Sequence, residues 1–381
     1  MTYVTLFQSP SYRQMSIEEF LFSESPEPVT ISQGFTNTRT FVTSNINDVV
    51  KKGLFPSAFD LIVALQSFND RHRRLISEEN KLTLYSTFYI PKKSGGLRRI
   101  DAPNDSLMRA LRELKEIFER DFKALYHTNA FAYIKNRSVV DSIKRHQQNE
   151  SKWFAKFDLS DFFGSTTMEF VMSMLGKIFP FSDVVSVESG RRALREALSL
   201  GFLNGGLPQG TPLSPLLTNV IMIPIDHEIS RGLRNLDTNK YVYTRYADDF
   251  IVSSRYTFSL NKVQDMILGI LREKGAPFRI NTSKTRYGSS AGRNFNLGLM
   301  LNKDNEITVG HKKKRVFKAM ITSFILDTRS GNKWPLDDVQ RLAGYRNYYR
   351  MVEKETIDAM IGHIERKYDA DVNRMLKEEL Q

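Results

Sequence analysis

Hydrophobic and polar positions alternate in different ways along the chain, and the changes mark its elements. Residues 1 to about 80 hold no strict period: SESPEPVTISQGFTNTRT predicts loop, and LFPSAFDLIVALQSF after it predicts a helix. From Leu82 the pattern becomes extended. LTLYSTFYIPKK and LRRIDAP predict extended stretches, and the SGG between them supplies glycines for the positive φ of a hairpin turn. DSLMRALRELKEIFERDF opens on an Asp/Ser cap and repeats apolar residues at helical spacing. WFAKFDLSDFF predicts a buried strand running into a turn.

GFLNGGLPQGTPLSPLLTNVIMIPIDHEI starts with glycines and prolines and continues as a periodic apolar run, the pattern of a loop feeding a helix. KYVYTRY and FIVSS predict two short strands on either side of Asp248 and Asp249, and LNKVQDMILGILREKG predicts a helix. FNLGLMLN and EITVG predict a strand pair ahead of the basic run HKKKR. From Val316 onward the pattern is helical, with RLAGYRNYYRMV its most distinctive part. No internal repeat or low-complexity tract interrupts this order.

Composition narrows the picture. With 381 residues, 41% of them hydrophobic, the chain is expected to build two or three packed units. Lys and Arg total 55 against 43 Asp and Glu, a net charge of +12 spread along the chain, which favours a polyanionic partner, most often nucleic acid. The absence of cysteine removes disulfides, thiolate zinc sites and cysteine nucleophiles, and fits a reducing cytoplasm. The six histidines lie far apart, with no pair at metal-ligand spacing on one helix. MTYVTLFQSP lacks a basic region followed by an apolar core, and no apolar run approaches the roughly 20 residues that cross a bilayer. A soluble, unprocessed, cytoplasmic protein with no membrane association is expected.

The candidate chemistry lies in carboxylates. An Asp-Asp pair at a turn is by itself most often a solvated loop. Asp158, however, ends an apolar strand earlier in the chain, where an unpaired carboxylate is costly to bury. Two strands ending in carboxylates can bring Asp158 and Asp248 together, and clustered carboxylates repel unless a divalent cation neutralises them. Oxygen ligands without histidine or cysteine select a hard ion, magnesium, which keeps waters and substrate phosphates in its shell. Two such ions would activate an attacking hydroxyl and stabilise the leaving oxygen of a phosphoryl displacement. That is polymerase chemistry, and it suits a basic protein.

FDLSDFF, GLPQGTPLSPLLTN, YADD, NTSKT and FNLGLMLN occur in the order and rough spacing of the palm motifs of reverse transcriptases, and IPKKSGGLRRIDAP resembles their fingers hairpin. The resemblance covers about residues 82 to 350 and is to the bacterial branch: retrons, group II intron enzymes and phage-defence reverse transcriptases. It implies an α/β (α+β) fold of right-hand type. An N-terminal extension over 1–80, mainly helix and loop, would precede fingers over 81–150, a palm of antiparallel strands backed by helices over 151–310, and a helical thumb over 311–381.

The resemblance also implies roles. Asp158 and Asp248 would hold two Mg²⁺ ions, for which Mn²⁺ can substitute, with the Leu159 carbonyl as a further ligand and Asp249 a weaker one. Asp161 reads as a turn carboxylate. Phe163 would lie beneath the incoming sugar and reject a 2′-hydroxyl by bulk, while Phe162 reads as core. Gln209 and Gly210 of LPQG would approach the nucleotide; Lys92, Lys93 and Arg98 would close over its triphosphate, and Lys284 would stabilise departing pyrophosphate. Lys312, Lys313, Lys314 and Arg315 would contact phosphates of the primer-template duplex. Tyr345, Tyr348 and Tyr349 could stack on nucleic acid, although at helical spacing such residues are more often core.

The retron hallmarks NAxxH and VTG read here SIKRH (Ser142 to His146) and NLG (Asn296 to Gly298), retaining only the histidine and the glycine. No RNase H or endonuclease segment is expected beyond GYRNYY. The resemblance is therefore closest to stand-alone phage-defence or abortive-infection enzymes. It implies a Mg²⁺-dependent RNA-directed DNA polymerase acting with deoxynucleoside triphosphates, an RNA template supplied by a companion non-coding RNA, a DNA product, and accessory defence proteins or a homo-oligomer as partners. The alternatives are a retron-type enzyme making RNA-templated single-stranded DNA, an enzyme making RNA or untemplated DNA, and an RNA-binding scaffold that keeps the polymerase shape.

Overall fold

The computed structural model describes residues 2–4, 15–16, 56–92, 95–122, 126–290 and 297–380. Lys93, most of the expected N-terminal extension, and Phe295 and Asn296 lie outside the described residues. Two short strands, β1 (Thr2–Val4) and β2 (Met15–Ser16), come first. Helix α1 (Ala58–Arg71) starts at Ser57, whose hydroxyl caps the Asp60 amide while the Asp60 carboxylate returns to the Ser57 amide, a capping box. The short helix α2 (Arg73–Ile76) and a 3₁₀ turn (Lys81–Leu84) lead into a hairpin of β3 (Tyr85–Pro91) and β4 (Leu97–Pro103). The hairpin is in register from Tyr85 opposite Pro103 to Pro91 opposite Leu97. Asn104, one residue before the expected Asp/Ser cap, caps α3 (Asp105–Arg120) by accepting from the Leu107 amide at 2.9 Å.

After β5 (Tyr126–His127), which pairs antiparallel with β1, come α4 (Val139–Gln148) and β6 (Trp153–Ser160). Helices α5 (Met168–Leu175), α6 (Phe181–Ser186), α7 (Glu188–Ser199), α8 (Leu213–Ile221) and α9 (Ile223–Leu236) follow. Then come β7 (Tyr241–Tyr246), β8 (Asp249–Ser254), α10 (Leu260–Glu273), β9 (Arg279–Ile280) and β10 (Arg286–Ser289). The paired strands β11 (Met300–Leu301) and β12 (Ile307–Thr308) precede α11 (His311–Arg329), α12 (Leu336–Tyr368) and α13 (Val372–Glu379). The principal sheet has the order β10-β6-β8-β7, and β9 pairs antiparallel with the end of β6, Leu159 facing Ile280. The fold is α+β.

The chain divides into two compact units. One comprises Met1–Arg137, Lys156–Phe250 and Ser259–Thr285; the other comprises Ser138–Ala155, Ile251–Phe258 and Arg286–Gln381. In the first, α1 packs along α7. Phe118 and Phe122 of the α3 end meet Phe181, with Phe122 stacked on Phe181 at 4.4 Å. In the second, Ile143, Phe154, Leu299, Val309, Phe317, Phe324 and Leu342 form one core. Helix α12 breaks at Glu353 (φ −137°, ψ 60°), whose carboxylate accepts from the Val309 amide, the Thr308 hydroxyl and the Lys314 ammonium at 2.7–2.8 Å. These bonds fix the Glu353 side chain at the break. Among the described residues no helix is long and apolar enough to cross a membrane.

Candidate active site

The first unit brings Asp158 to the Asp248–Asp249 turn. Side chains two apart on a strand share a face, so Lys156 and Asp158 of β6 point the same way. Beyond them the Leu159 amide donates to the Asp248 carbonyl at 3.0 Å, and the Asn281 amide donates to the Asp158 carbonyl at 2.8 Å. Strands β7 and β8 are joined by only Ala247 and Asp248, and Ala247 takes φ +56° to make so tight a reversal.

That turn is held from below by a buried ion pair. Arg245 and Asp226 are both 0% exposed, and the guanidinium bonds the carboxylate through Nε and Nη2 at 2.8–3.0 Å. The Tyr243 hydroxyl donates to the same carboxylate at 2.7 Å. Arg245 Nη1 reaches the Asn219 side-chain oxygen at 3.1 Å and the Ala247 carbonyl at 3.3 Å. A planar guanidinium presents donors in several fixed directions at once, which is what spanning a helix, a strand and a turn requires.

The three carboxylates are not equally compensated. Lys284 donates to both oxygens of Asp158 at 2.9 and 3.1 Å, and its own pKa is raised first by that bond. Lys156 lies 3.0 Å from Asp249 Oδ1, an ion pair whose alignment leaves that buried oxygen without a hydrogen bond. Asp249 is still raised above the usual carboxylate range, by burial first, with Lys156 opposing the shift. Asp248 is pushed up to about 6 by burial, then by the charge of Asp249, with a smaller contribution from Asp158.

Among the described residues no three acidic or histidine side chains close into a metal-holding group by themselves. A magnesium site does not demand one, because it is commonly built from one or two carboxylates plus water and substrate phosphates. The donors fit such an ion in kind: all are oxygens, Asp249 Oδ1 is buried without a hydrogen bond, and Asp248 is pushed up by burial and by the charge of Asp249, which a cation would offset.

Phe162 and Phe163 separate as neighbours. Phe162 is buried and packs on Phe278 at 4.9 Å, whereas Phe163 is half-buried. The Phe163 carbonyl accepts from the Leu207 amide at 3.0 Å, so the strand-turn segment and the GLPQG loop are fastened together. A Cβ on Gly206 would stand 2.0 Å from the Gly164 carbonyl oxygen, and only glycine permits that approach. Gln209 is half-buried, and its carbonyl accepts from the Asp101 amide of β4 at 2.8 Å. Gly210 has φ +120°, with the Asp101 carbonyl 3.0 Å from where a Cβ would lie. Lys92 and Arg98 are exposed on the β3–β4 hairpin, and Lys93 lies outside the described residues. Asp161 is an exposed turn residue at φ +46°.

The basic run sits on the first turn of α11 in the second unit. Lys314 is committed to Glu353, and Lys313 donates to the Gly298 carbonyl at 2.6 Å, while Lys312 and Arg315 are exposed. Tyr349 is buried and stacks on the partly exposed Tyr345 at 5.6 Å. His146, the retained histidine of SIKRH, is buried against the Ser253 hydroxyl at 2.6 Å.

Four groups escaped the sequence reading: Lys156, Arg245, Asp226 and Asn219. Lys156 had a signal, since it shares the strand face of Asp158. The other three gave none, because their partners are set by helix packing.

The reverse transcriptase (RNA-dependent DNA polymerase) family matches residues 90–316. Among curated proteins the chain is similar to the retron Ec73 reverse transcriptase of Escherichia coli, 29% identical over 69% of this chain and 82% of that protein. It is also similar to the retron Ec83 reverse transcriptase of the same organism, 28% identical over 77% and 90%. The retron Mx65 reverse transcriptase of Myxococcus xanthus is 28% identical over 61% and 54%. Among solved structures, apo telomerase from Candida tropicalis aligns at 15% identity and a TM-score of 0.44, over 80% of this chain and 63% of that one.

Proposed function

We infer the reaction from the premise that this chain belongs to the reverse transcriptase family, the RNA-dependent DNA polymerases: it extends the 3′ end of a primer along an RNA template with deoxynucleoside triphosphates. Asp158 and Asp248 would hold divalent ions, magnesium or in its place manganese, with the Leu159 carbonyl and Asp249 as lesser ligands. When bound, such ions lower the pKa of the attacking hydroxyl and stabilise charge on the leaving oxygen. The protein's own groups do the rest. Phe163 excludes a 2′-hydroxyl by bulk, and the Gln209–Gly210 backbone, docked on β4, shapes the sugar's surroundings. Lys92, Lys93 and Arg98 neutralise the triphosphate, and Lys284 offsets charge on the departing pyrophosphate. Lys312 and Arg315 supply phosphate contacts from α11, and Lys313 and Lys314 add to the positive field there.

The observation that carries this reading is the bond from the Leu159 amide to the Asp248 carbonyl, which holds two otherwise distant carboxylates at one strand end. Replacing Asp248 and Asp249 with Asn is expected to abolish incorporation of labelled deoxynucleotide on an RNA template with the far-ultraviolet spectrum unchanged. Undiminished synthesis would defeat the assignment.

The setting we propose is cytoplasmic antiphage defence with a dedicated non-coding RNA as template, alongside accessory proteins or further copies of the chain. Its support is the departure of SIKRH and NLG from the retron hallmarks. A retron-type enzyme making single-stranded DNA is the second reading, favoured by similarity to retron enzymes over 82% and 90% of their lengths. Sequencing the nucleic acid that co-purifies from the native host decides between them: a branched RNA-DNA product selects the second.

A further inference from the structure

Tyr133 has no assigned role, yet four features set it apart. It is an aromatic residue 58% exposed. Its backbone takes φ +61°, a left-handed conformation that is costly for any side chain except glycine and some short polar ones. Its ring centroid lies 6.4 Å from that of Phe163, with the planes at 59°. The phenol is held above its usual pKa, by partial burial first and then by the charge of Asp248, which places that carboxylate in its surroundings.

What holds the strained backbone is equally specific. The Ala132 carbonyl accepts from the Asn219 side chain at 2.8 Å, and the Asn219 oxygen accepts from Arg245 Nη1 at 3.1 Å. The same Nη1 donates to the Ala247 carbonyl at 3.3 Å. The Phe131 amide donates to the Arg245 carbonyl at 2.9 Å. Tyr133 and Asp248 thus each directly follow a residue whose carbonyl is tied, through Asn219 or directly, to one buried guanidinium. Backbone strain persists only where its surroundings over-determine it, and it collects at ligand clamps. A rigid aromatic also offers contact area at small entropic cost, which suits it to recognition.

We propose that Tyr133 contacts the incoming deoxynucleotide, its ring and that of Phe163 forming two walls against the sugar and base, and that Arg245 and Asn219 keep this wall in register with Asp248. The inference rests on the polymerase reading above and adds a specificity residue to it. The test measures kcat and KM for dTTP on an RNA template with the full chain, Tyr133→Ala and Tyr133→Phe, together with thermal melting. Tyr133→Ala is expected to raise KM about tenfold, the size of one base–aromatic stacking contact. Its kcat should stay within about twofold and its melting temperature should be unchanged, and Tyr133→Phe should restore wild-type KM. An unchanged KM, a loss confined to kcat, a fall in melting temperature that accounts for the defect, or a Phe variant as impaired as Ala would each overturn it. If the wild-type chain incorporates nothing, the polymerase reading fails, and calorimetric titration of dTTP still decides the contact. Binding about tenfold weaker to Tyr133→Ala upholds it; equal binding overturns it.

Discussion

At Asp248 the demands of chemistry and of folding pull in opposite directions. Its folded pKa of about 6 lies above the ordinary 3.8, so the folded state binds the proton more tightly than the unfolded state. The stabilisation that protonation provides is complete at low pH and is lost as the pH rises through about 6. Asp248→Asn removes the charge without changing the shape. In metal-free buffer the variant is expected to be more stable than wild type by about 3 kcal/mol at pH 8 and equal to it below about pH 4. Urea unfolding at the two pH values checks this. Arg245 and Asp226 present the opposite case. Asp226→Ala strands a guanidinium that is 0% exposed, and chemical denaturation should show a loss of about 3–5 kcal/mol. As candidates, Asp158, Asp248 and Phe163 stand out in the sequence because each belongs to a local motif. Asp226 does not, since a carboxylate within a helix reads as solvated until β7 is seen against it.

The elements explain why motifs far apart in sequence act as one. The GLPQG loop is pinned at Leu207 to Phe163 and at Gln209 to Asp101 of β4, so hairpin, loop and strand end form one unit of backbone hydrogen bonds. Gly206 is the closest approach in it, and Gly206→Ala must displace the Gly164 backbone next to Phe163. A loss of about 1–3 kcal/mol is expected from overpacking of this kind. Discrimination between dTTP and UTP should fall with it, which parallel single-nucleotide incorporation assays would register. The β3–β4 hairpin, the β7–β8 turn and the helical segment from His311 onward follow the sequence pattern closely. Helices α4 to α7 and the break at Glu353 were not anticipated. The break depends on amide and ammonium donors from β12 and α11, which no window around Glu353 contains.

At the scale of the molecule, each unit carries a buried histidine. His127 in the first and His146 in the second are both held at about 3, by burial before any neighbouring charge. A histidine whose folded pKa lies below the unfolded 6.5 leaves stability intact above pH 6.5 and erodes it as the pH falls, by at most about 1.4 kcal/mol per pH unit each. Asp248 works the other way over part of the same range. The urea midpoint is therefore expected to drop between pH 7 and pH 5, and to drop further in Asp248→Asn, which lacks the opposing group. Circular dichroism at both pH values measures it.

The sequence by itself determined which carboxylates are candidates, the Phe162–Phe163 pair beside them, the basic character, and a fold of strand hairpins and helices. Those signals are local, carried by neighbours within a strand, a turn or a helical period. Only the tertiary structure decided which charges are compensated: Lys284 on Asp158 and Lys156 on Asp249, with no lysine ion-paired to Asp248 among the described residues. It alone connected Arg245 through Asn219 to the residue before Tyr133 and directly to the residue before Asp248. Ion pairs and hydrogen bonds form between side chains that packing brings within about 3 Å, and sequence separation says nothing of that distance.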